Sequence, residues 1–430
     1  MSLGGGVDWL ESYHITGGKI LEGDHTLNGA KNAVLPILAA TIVSGRTSRI
    51  ENCPNLSDVR TMGAILKEMG CKVLWEGDTI SVDSSSVDTF VIPQHLMKEI
   101  RSSVFLMGPT LARCGQVNLS NPGGCAIGRR PIDIHLSALK RLGVEIHERD
   151  GYLECKTKGL VGNIIPLEFP SVGATENTMM AALMAEGETR ILNGAKEPEI
   201  IDLQNYLRSC GADISGAGTD EIRIVGKNPL FETTYQVIPD RIEGGTILAA
   251  VAATGGQVVL KNAIPDHMEA TLKILEEAGC NVIREPNRIS LKAPNCLKGV
   301  KHVVTQPYPG FPTDMQSQVI ALLVRSDGSS RITETIFENR FKYVEELNKM
   351  GAKIRLEGRT ATVTGVNHLK GTRVSAQDLR GGASLVIAGL VAEGDTVVDQ
   401  VYHIDRGYER LETVLSKLGA EITRRTSQII

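Results

Sequence analysis

The stretch Leu66-Lys67-Glu68-Met69-Gly70-Cys71-Lys72-Val73 closes one structural element and opens another. Its pattern is leucine, two polar residues, an apolar residue or cysteine, glycine, two more residues, then valine or isoleucine. Glycine at such a place is a helix C-cap in the left-handed region. The β-branched residue three positions later belongs to a strand. The pattern recurs at Leu139–Ile146, Leu207–Ile214, Leu275–Val282, Leu347–Ile354 and Leu415–Ile422. The six glycines are Gly70, Gly143, Gly211, Gly279, Gly351 and Gly419, spaced 73, 68, 68, 72 and 68 residues apart. So regular a period marks one supersecondary unit used six times.

Working outward from each cap, a hairpin follows. Ile354 to Val363 alternates apolar and polar faces around Gly358. Upstream lies a second recurring element, a helix with few large polar residues: Ala33–Val43, Met179–Ala185, Ile247–Ala253, Val319–Leu323 and Leu385–Val391. A helix apolar on all sides is buried. The helices ending at the caps, such as Asp58–Met69, are amphipathic and face water on one side. Each unit thus reads strand, buried helix, strand, surface helix, strand, strand. Six buried helices are accommodated most simply as two clusters of three, each walled by sheets and surface helices. An α/β protein of two similar domains is expected; a single solenoid would call for capping repeats, which are not visible.

Composition narrows the function. A chain of 430 residues exceeds one ordinary core, which agrees with two domains. The net charge of -4 and the lack of a basic block speak against nucleic acid as a partner. At 4%, aromatics are too sparse for single-strand stacking platforms. No run of 18 apolar residues suggests a membrane span. Met1 to Gly6 read as a flexible leader outside the fold, and no signal-like segment opens the chain. The eight cysteines form no CxxC pair, so no metal site and no disulfide framework are indicated, and a reducing cytoplasm is expected.

The units carry chemistry at one shared place. A glycine precedes the strand after each buried helix: Gly45, Gly115, Gly187, Gly255, Gly328 and Gly394. Fourteen residues before them stand Lys31, Arg101, Gly173, Arg241, Asp314 and Arg380, at or just before the helix starts. Cations at helix N-termini oppose the macrodipole unless an anion sits in front. Asp314 differs: Thr313-Asp314 also reads as an ordinary helix start, while a carboxylate among cations would stay ionised and could take a proton from a hydroxyl. The second unit carries an insertion between Gly115 and Gly143. It contains Pro122-Gly123-Gly124-Cys125-Ala126-Ile127-Gly128-Arg129-Arg130-Pro131-Ile132-Asp133. A thiol beside two guanidinium groups has a lowered pKa. Pliable backbone, anion clamp and reactive sulfur describe a mobile active-site loop.

These segments, with Leu27–Ala33, Ser171–Thr175, Phe311–Gln316, Phe337–Phe341, Asp378–Arg380 and Asp405–Tyr408, closely resemble the enolpyruvyltransferases that act on UDP-N-acetylglucosamine. The resemblance spans nearly the whole chain. It implies the two-domain inside-out α/β barrel built from six βαβαββ units, three per domain. The domains fall at 31–238, carrying the Cys125 loop, and at 1–30 plus 239–430, with the active site in the cleft between them. The implied reaction moves the enolpyruvyl group of phosphoenolpyruvate to the 3-hydroxyl of the sugar nucleotide by addition and elimination, the entry to peptidoglycan precursor synthesis. It needs neither metal nor cofactor.

The resemblance makes Cys125 the general acid and the site of a covalent phosphoenolpyruvate adduct. Lys31, Arg130 and Arg406 hold the phosphate and carboxylate, with Arg380 nearby. Asn32, Arg101 and the run Arg130, Pro131, Ile132, Asp133 and Ile134 bind the sugar nucleotide. Ser171, Val172 and Gly173 offer amides to its diphosphate and uracil. Asp314 meets the 3-hydroxyl as base or orienter, and Ile336, Phe337 and Arg340 wall the sugar. Phe105 stands where some members have tryptophan, and Arg129 where others have a small residue. Arg340 could instead pair with Glu338 or Glu345, and Arg406 with Asp405. Two rival readings are an enzyme acting on shikimate 3-phosphate and a non-catalytic regulator that binds a uridine nucleotide. The oligomeric state is left open.

Overall fold

The computed structural model describes residues 9–97, 100–120, 132–149 and 151–428. All six surface helices end in the same hydrogen-bonded turn. In the first, the Gly70 N–H donates to the Lys67 carbonyl and the Cys71 N–H to the Leu66 carbonyl. The same pair of bonds recurs at Gly143, Gly211, Gly279, Gly351 and Gly419. This is the Schellman arrangement, which requires a left-handed residue. The six glycines have φ between 91° and 104°. The leucine of each repeat is buried, from Leu66 to Leu415. Its side chain anchors the helix in the core while its carbonyl accepts the closing bond.

The described residues form two compact units, 28–240 and 9–27 with 241–428. The first unit clusters three buried helices, Lys31–Ser44, Met107–Cys114 and Val172–Ala182. In the first of these only Asn32 and Ser44 escape full burial. The second unit clusters Arg241–Ala253, Gln316–Leu323 and Leu379–Val391 in the same way. Each unit has its own apolar core, and the two cores share no residue. Three sheets wall each cluster. Their strands alternate as one-sided sheets must: in Glu188–Leu192, Thr189 and Ile191 are buried while Glu188 and Arg190 face water.

The sheets depart from simple repetition in two places. Strand Glu22–Thr26, which leads the first repeat, pairs in parallel with Gln257–Lys261 of the fourth. Strand Thr233–Gln236, which leads the fourth, pairs with Thr47–Glu51 of the first. The sixth repeat supplies Asp395–Asp399 and Glu421–Gln428 but not the strand between them. Trp9–Thr16 fills that place, antiparallel to both. Among the described residues no helix is long and apolar enough to cross a membrane.

Candidate active site

The six positions found by counting back from the strand glycines fall on the first or second residue of a helical turn. Lys31 and Arg241 open their helices, and Arg101 opens the 3-10 turn Arg101–Leu106. Gly173 and Arg380 are second residues, and Asp314 is second in the turn Thr313–Met315. The register therefore holds in all six repeats. Cys125, Arg129, Arg130 and Pro131 lie outside the described residues, as does the side chain of Arg101.

In the first unit, Lys31 is buried and its ammonium lies 2.6 Å from the Asp58 carboxylate. Its backbone N–H donates to Asp240 at 3.2 Å. A cation at a helix start is thus compensated by a carboxylate on the neighbouring surface helix, Ser57–Glu68. Asn32 beside it is half-buried. Ser171 caps the helix Val172–Ala182, its hydroxyl accepting from the Ala174 N–H at 3.4 Å. Gly173 lies close under two rings: a Cβ there would stand 2.8 Å from His135 Nε2 and 3.4 Å from the Phe105 ring, and would push the imidazole aside. His135 sits on the helix Asp133–Arg141. That contact brings the start of this helix, with Ile132, Asp133 and Ile134, towards Ser171, Val172 and Gly173. Asn177 fixes the remaining neighbour. It donates to the carbonyls of Val104 and Gly173 and accepts from the Gly108 N–H. Phe105 is held in place through these bonds.

In the second unit, Asp314 is clamped by two guanidinium groups. Arg340 reaches Oδ1 at 2.7 Å and Arg380 reaches Oδ2 at 3.0 Å. Both arginines are buried, whereas the Asp314 side chain keeps 26% of its surface exposed, enough for a ligand to touch. Burial by itself would raise the carboxyl's pKa. The two cations outweigh it and hold the group well below the usual carboxylate range. Asp314 is therefore an ionised hydrogen-bond acceptor and a weak base, which favours the orienting role over proton abstraction. Arg380 is itself braced: Asp378 caps the helix by accepting from the Arg380 and Gly381 N–H groups, and the guanidinium lies 5.3 Å from the Tyr408 ring centre.

Arg340 pairs with Asp314 rather than with Glu338 or Glu345. Asp405 is bonded to Arg424. Arg406 is half-buried at the end of the turn Val401–Arg406. Ile336 and Phe337 are half-buried on the loop leading to Arg340, whose guanidinium lies 5.4 Å from the Phe337 ring centre. Arg241 extends over Tyr308 at 5.8 Å. Sequence reasoning missed Asp58, the partner of Lys31, and Glu334, which accepts from the Thr313 hydroxyl and from the Ile336 and Phe337 N–H groups. Asp58 reads as an ordinary acidic residue in a first helical turn, and Glu334 as a polar residue after a strand. Neither has a local pattern to mark it.

The sequence matches the family model described as EPSP synthase (3-phosphoshikimate 1-carboxyvinyltransferase) over residues 15–415. It is 52% identical over 415 residues to UDP-N-acetylglucosamine 1-carboxyvinyltransferase 2 of Caldanaerobacter subterraneus subsp. tengcongensis, covering 96% of this chain and 100% of that one. A protein of the same name from Carboxydothermus hydrogenoformans is 48% identical, covering 96% and 99%. Among solved structures, the enolpyruvyl transferase NikO from Streptomyces tendae superposes with a TM-score of 0.88 at 25% identity, covering 98% and 100%. EPSP synthase from Acinetobacter baumannii shares the fold with a TM-score of 0.74 at 18% identity, covering 97% and 100%. With relatives this similar along nearly their whole length, the chain belongs to the EPSP-synthase family of enolpyruvyl transferases, in the group of UDP-N-acetylglucosamine 1-carboxyvinyltransferases.

Proposed function

We propose that the protein transfers the enolpyruvyl group of phosphoenolpyruvate to the 3-hydroxyl of UDP-N-acetylglucosamine, releasing phosphate, at the entry to peptidoglycan precursor synthesis. The observation that carries this reading is the 52% identity to a carboxyvinyltransferase of that name along its entire length. The ionised, partly exposed Asp314 supports it, because an alcohol acceptor needs an oxygen partner to aim its O–H. In the addition step the C2–C3 double bond opens, the acceptor oxygen bonds to C2 of phosphoenolpyruvate as its O–H proton, directed by Asp314, passes to solvent, and Cys125 delivers a proton to the methylene carbon. In the elimination step that carbon returns a proton to the Cys125 thiolate, the C2–C3 double bond re-forms and the C2–O bond to phosphate breaks, releasing phosphate.

Lys31, Arg130 and Arg406 hold the phosphate and carboxylate of phosphoenolpyruvate. Asn32, Arg101, the run from Arg130 to Ile134, and the helix start Ser171–Gly173 serve the sugar nucleotide. Ile336, Phe337 and Arg340 wall its sugar, and Arg380 acts mainly by fixing Asp314. A reducing cytoplasmic setting belongs to the same proposal; no disulfide joins the described cysteines. The name of the family model makes shikimate 3-phosphate the acceptor to compare. Phosphate release from phosphoenolpyruvate is measured with each acceptor in turn, and the product is weighed by mass spectrometry. Turnover with UDP-N-acetylglucosamine alone is expected. Turnover with shikimate 3-phosphate alone, or with neither, overturns the reading.

A further inference from the structure

We propose that Glu334 is a positioning residue that holds Asp314 and the Ile336–Arg340 wall as one body and thereby aligns the acceptor alcohol. The step from alignment to acceptor rests on the function proposed above; the pinning itself does not. Glu334 follows the strand Ser329–Thr333 and has no exposed surface. A buried carboxylate is tolerated only when its lone pairs are filled. Here four donors reach it, three on Oε1 and one on Oε2. Oε1 accepts from the Thr305 hydroxyl at 2.9 Å, from the Ile336 N–H at 2.7 Å and from the Phe337 N–H at 3.0 Å. Oε2 accepts from the Thr313 hydroxyl at 2.8 Å.

Three of these bonds run to the two arms of the acceptor-side group. Thr313 immediately precedes Asp314. Ile336 and Phe337 begin the loop that carries Arg340, and Arg340 returns to Asp314 at 2.7 Å. The path from Glu334 through Thr313, Asp314, Arg340 and Phe337 back to Glu334 is a closed ring of covalent and hydrogen-bonded links. Without Glu334 the Asp314–Arg340 pair could still form and Thr335 would still be bonded to Thr305, but the Ile336 and Phe337 amides would lose their direct tie to Thr313. An orienting carboxylate loses its effect when displaced by about 1 Å. Thr305 anchors the ring to the parallel pair His302–Val304 and Ser329–Thr333.

Three variants test the proposal. Glu334→Ala removes all four acceptor bonds. In Glu334→Gln the amide oxygen can keep the three bonds made by Oε1, while the NH2 group faces a Thr313 hydroxyl able to accept. Thr313→Val removes one bond and leaves the loop amides held. For Glu334→Ala, KM for UDP-N-acetylglucosamine is expected to rise about tenfold or more, with KM for phosphoenolpyruvate within about twofold of wild type. Thr313→Val gives the same split at about threefold, and it remains informative where Glu334→Ala does not fold. Glu334→Gln rescues most of the loss. Amide exchange at Ile336 and Phe337 speeds up in Glu334→Ala and stays slow in Glu334→Gln. Equal rises in both KM values, an unaltered acceptor KM in folded Glu334→Ala, or a glutamine variant as impaired as the alanine one overturns the proposal. If the wild type does not use UDP-N-acetylglucosamine, the functional reading has failed by itself. The exchange rates at Ile336 and Phe337 then decide whether Glu334 pins this loop, and unchanged rates refute it.

Discussion

At the scale of the residue, the contrasts between like side chains are the most informative. Burial pushes the thiols of Cys71 and Cys280 up to about 12, and those of Cys155 and Cys210 up to about 11. Near neutral pH these groups are thiols, with almost no nucleophilic thiolate. Cys125 follows Gly123 and Gly124 and stands four and five residues before Arg129 and Arg130 in the sequence, a cationic loop that favours thiolate. An epoxide phosphonate such as fosfomycin is therefore expected to add once, at Cys125. Intact-mass and peptide mapping that find the adduct on Cys53, Cys210 or exposed Cys296 instead would contradict this. In the same vein, Cys125→Ala abolishes turnover while Cys125→Asp, still able to donate a proton, keeps measurable activity. Full activity in the alanine variant would remove the acid role. A second contrast is between carboxyls. Asp314 is kept ionised by two arginines, whereas Glu176 is wholly buried and both its oxygens lack a hydrogen-bond partner among the described residues. Burial first, then the nearby Glu199 and Glu197, raise the Glu176 pKa well above its ordinary value. Burial likewise lifts Asp202 to about 7, against the hydrogen bonds from Tyr235 and Ile238 that lower it. A carboxyl with a raised folded-state pKa contributes most stability below its unfolded pKa of about 4 and loses it as pH rises towards the folded value. Urea unfolding should therefore show residues 28–240 weakening from pH 5.5 to 8.5. Glu176→Gln, which cannot ionise, should lose less stability than the wild type as pH rises across that range. A pH-independent difference between the two would show that Glu176 does not carry the effect.

At the scale of the element, the sequence makes the surface helix and its cap legible because both obey local rules. A leucine four positions before a glycine, followed by a β-branched residue, encodes a buried anchor, a left-handed turn and a strand within eight residues. The six Schellman turns follow directly. The same locality explains what stays hidden. Which strand pairs with Glu22–Thr26 depends on contacts more than 200 residues away, and its parallel partner Gln257–Lys261 has the same alternating pattern as every other candidate. Asp58 and Glu334 are invisible for a similar reason: a single carboxylate takes its meaning from the Lys31 ammonium or the Thr313 hydroxyl that the fold brings to it. The cap glycines permit a graded test. A Cβ at Gly351 meets nothing within 4 Å, so Gly351→Ala adds only the strain of φ near 94°. About 1–2 kcal/mol is expected. At Gly211 a Cβ would also meet the Phe231 ring at 2.8 Å and the Pro229 carbonyl oxygen at 3.0 Å. Gly211→Ala should therefore cost more than Gly351→Ala, by roughly another 1–2 kcal/mol. Equal shifts in urea midpoint would mean that the neighbours of Gly211 yield freely.

At the scale of the molecule, the strand Trp9–Thr16 links chain order to catalytic geometry in the second unit. It lies between Asp395–Asp399 and Glu421–Gln428 and is the shared partner of both. Tyr13 and Ile15 point into the core with almost no exposure. The Tyr13 hydroxyl donates to Glu412 at 2.8 Å, and Arg424 binds Glu11, Tyr13 and Asp405 together. Asp405 is the residue before Arg406, so the first strand braces the backbone that presents a proposed phosphoenolpyruvate ligand. Removing residues 1–16 takes out the middle of a four-stranded sheet, two core side chains and two partners of Arg424, Glu11 and Tyr13, at once. Such a loss is comparable to the whole net stability of a domain, about 5–15 kcal/mol. The two cores share no residue, so the damage should stay on one side. Hydrogen exchange of the truncated chain should show fast exchange across 395–428 and the rest of the second unit, with slow exchange kept in the core of 28–240. A synthetic peptide of residues 9–16 added in trans should restore both protection and phosphate release, because a strand paired on both edges can be supplied without a covalent link. Protection of 395–428 that survives the truncation would mean that the sheet closes without its central strand, and that Arg406 owes its placement to something other than Arg424 and Asp405.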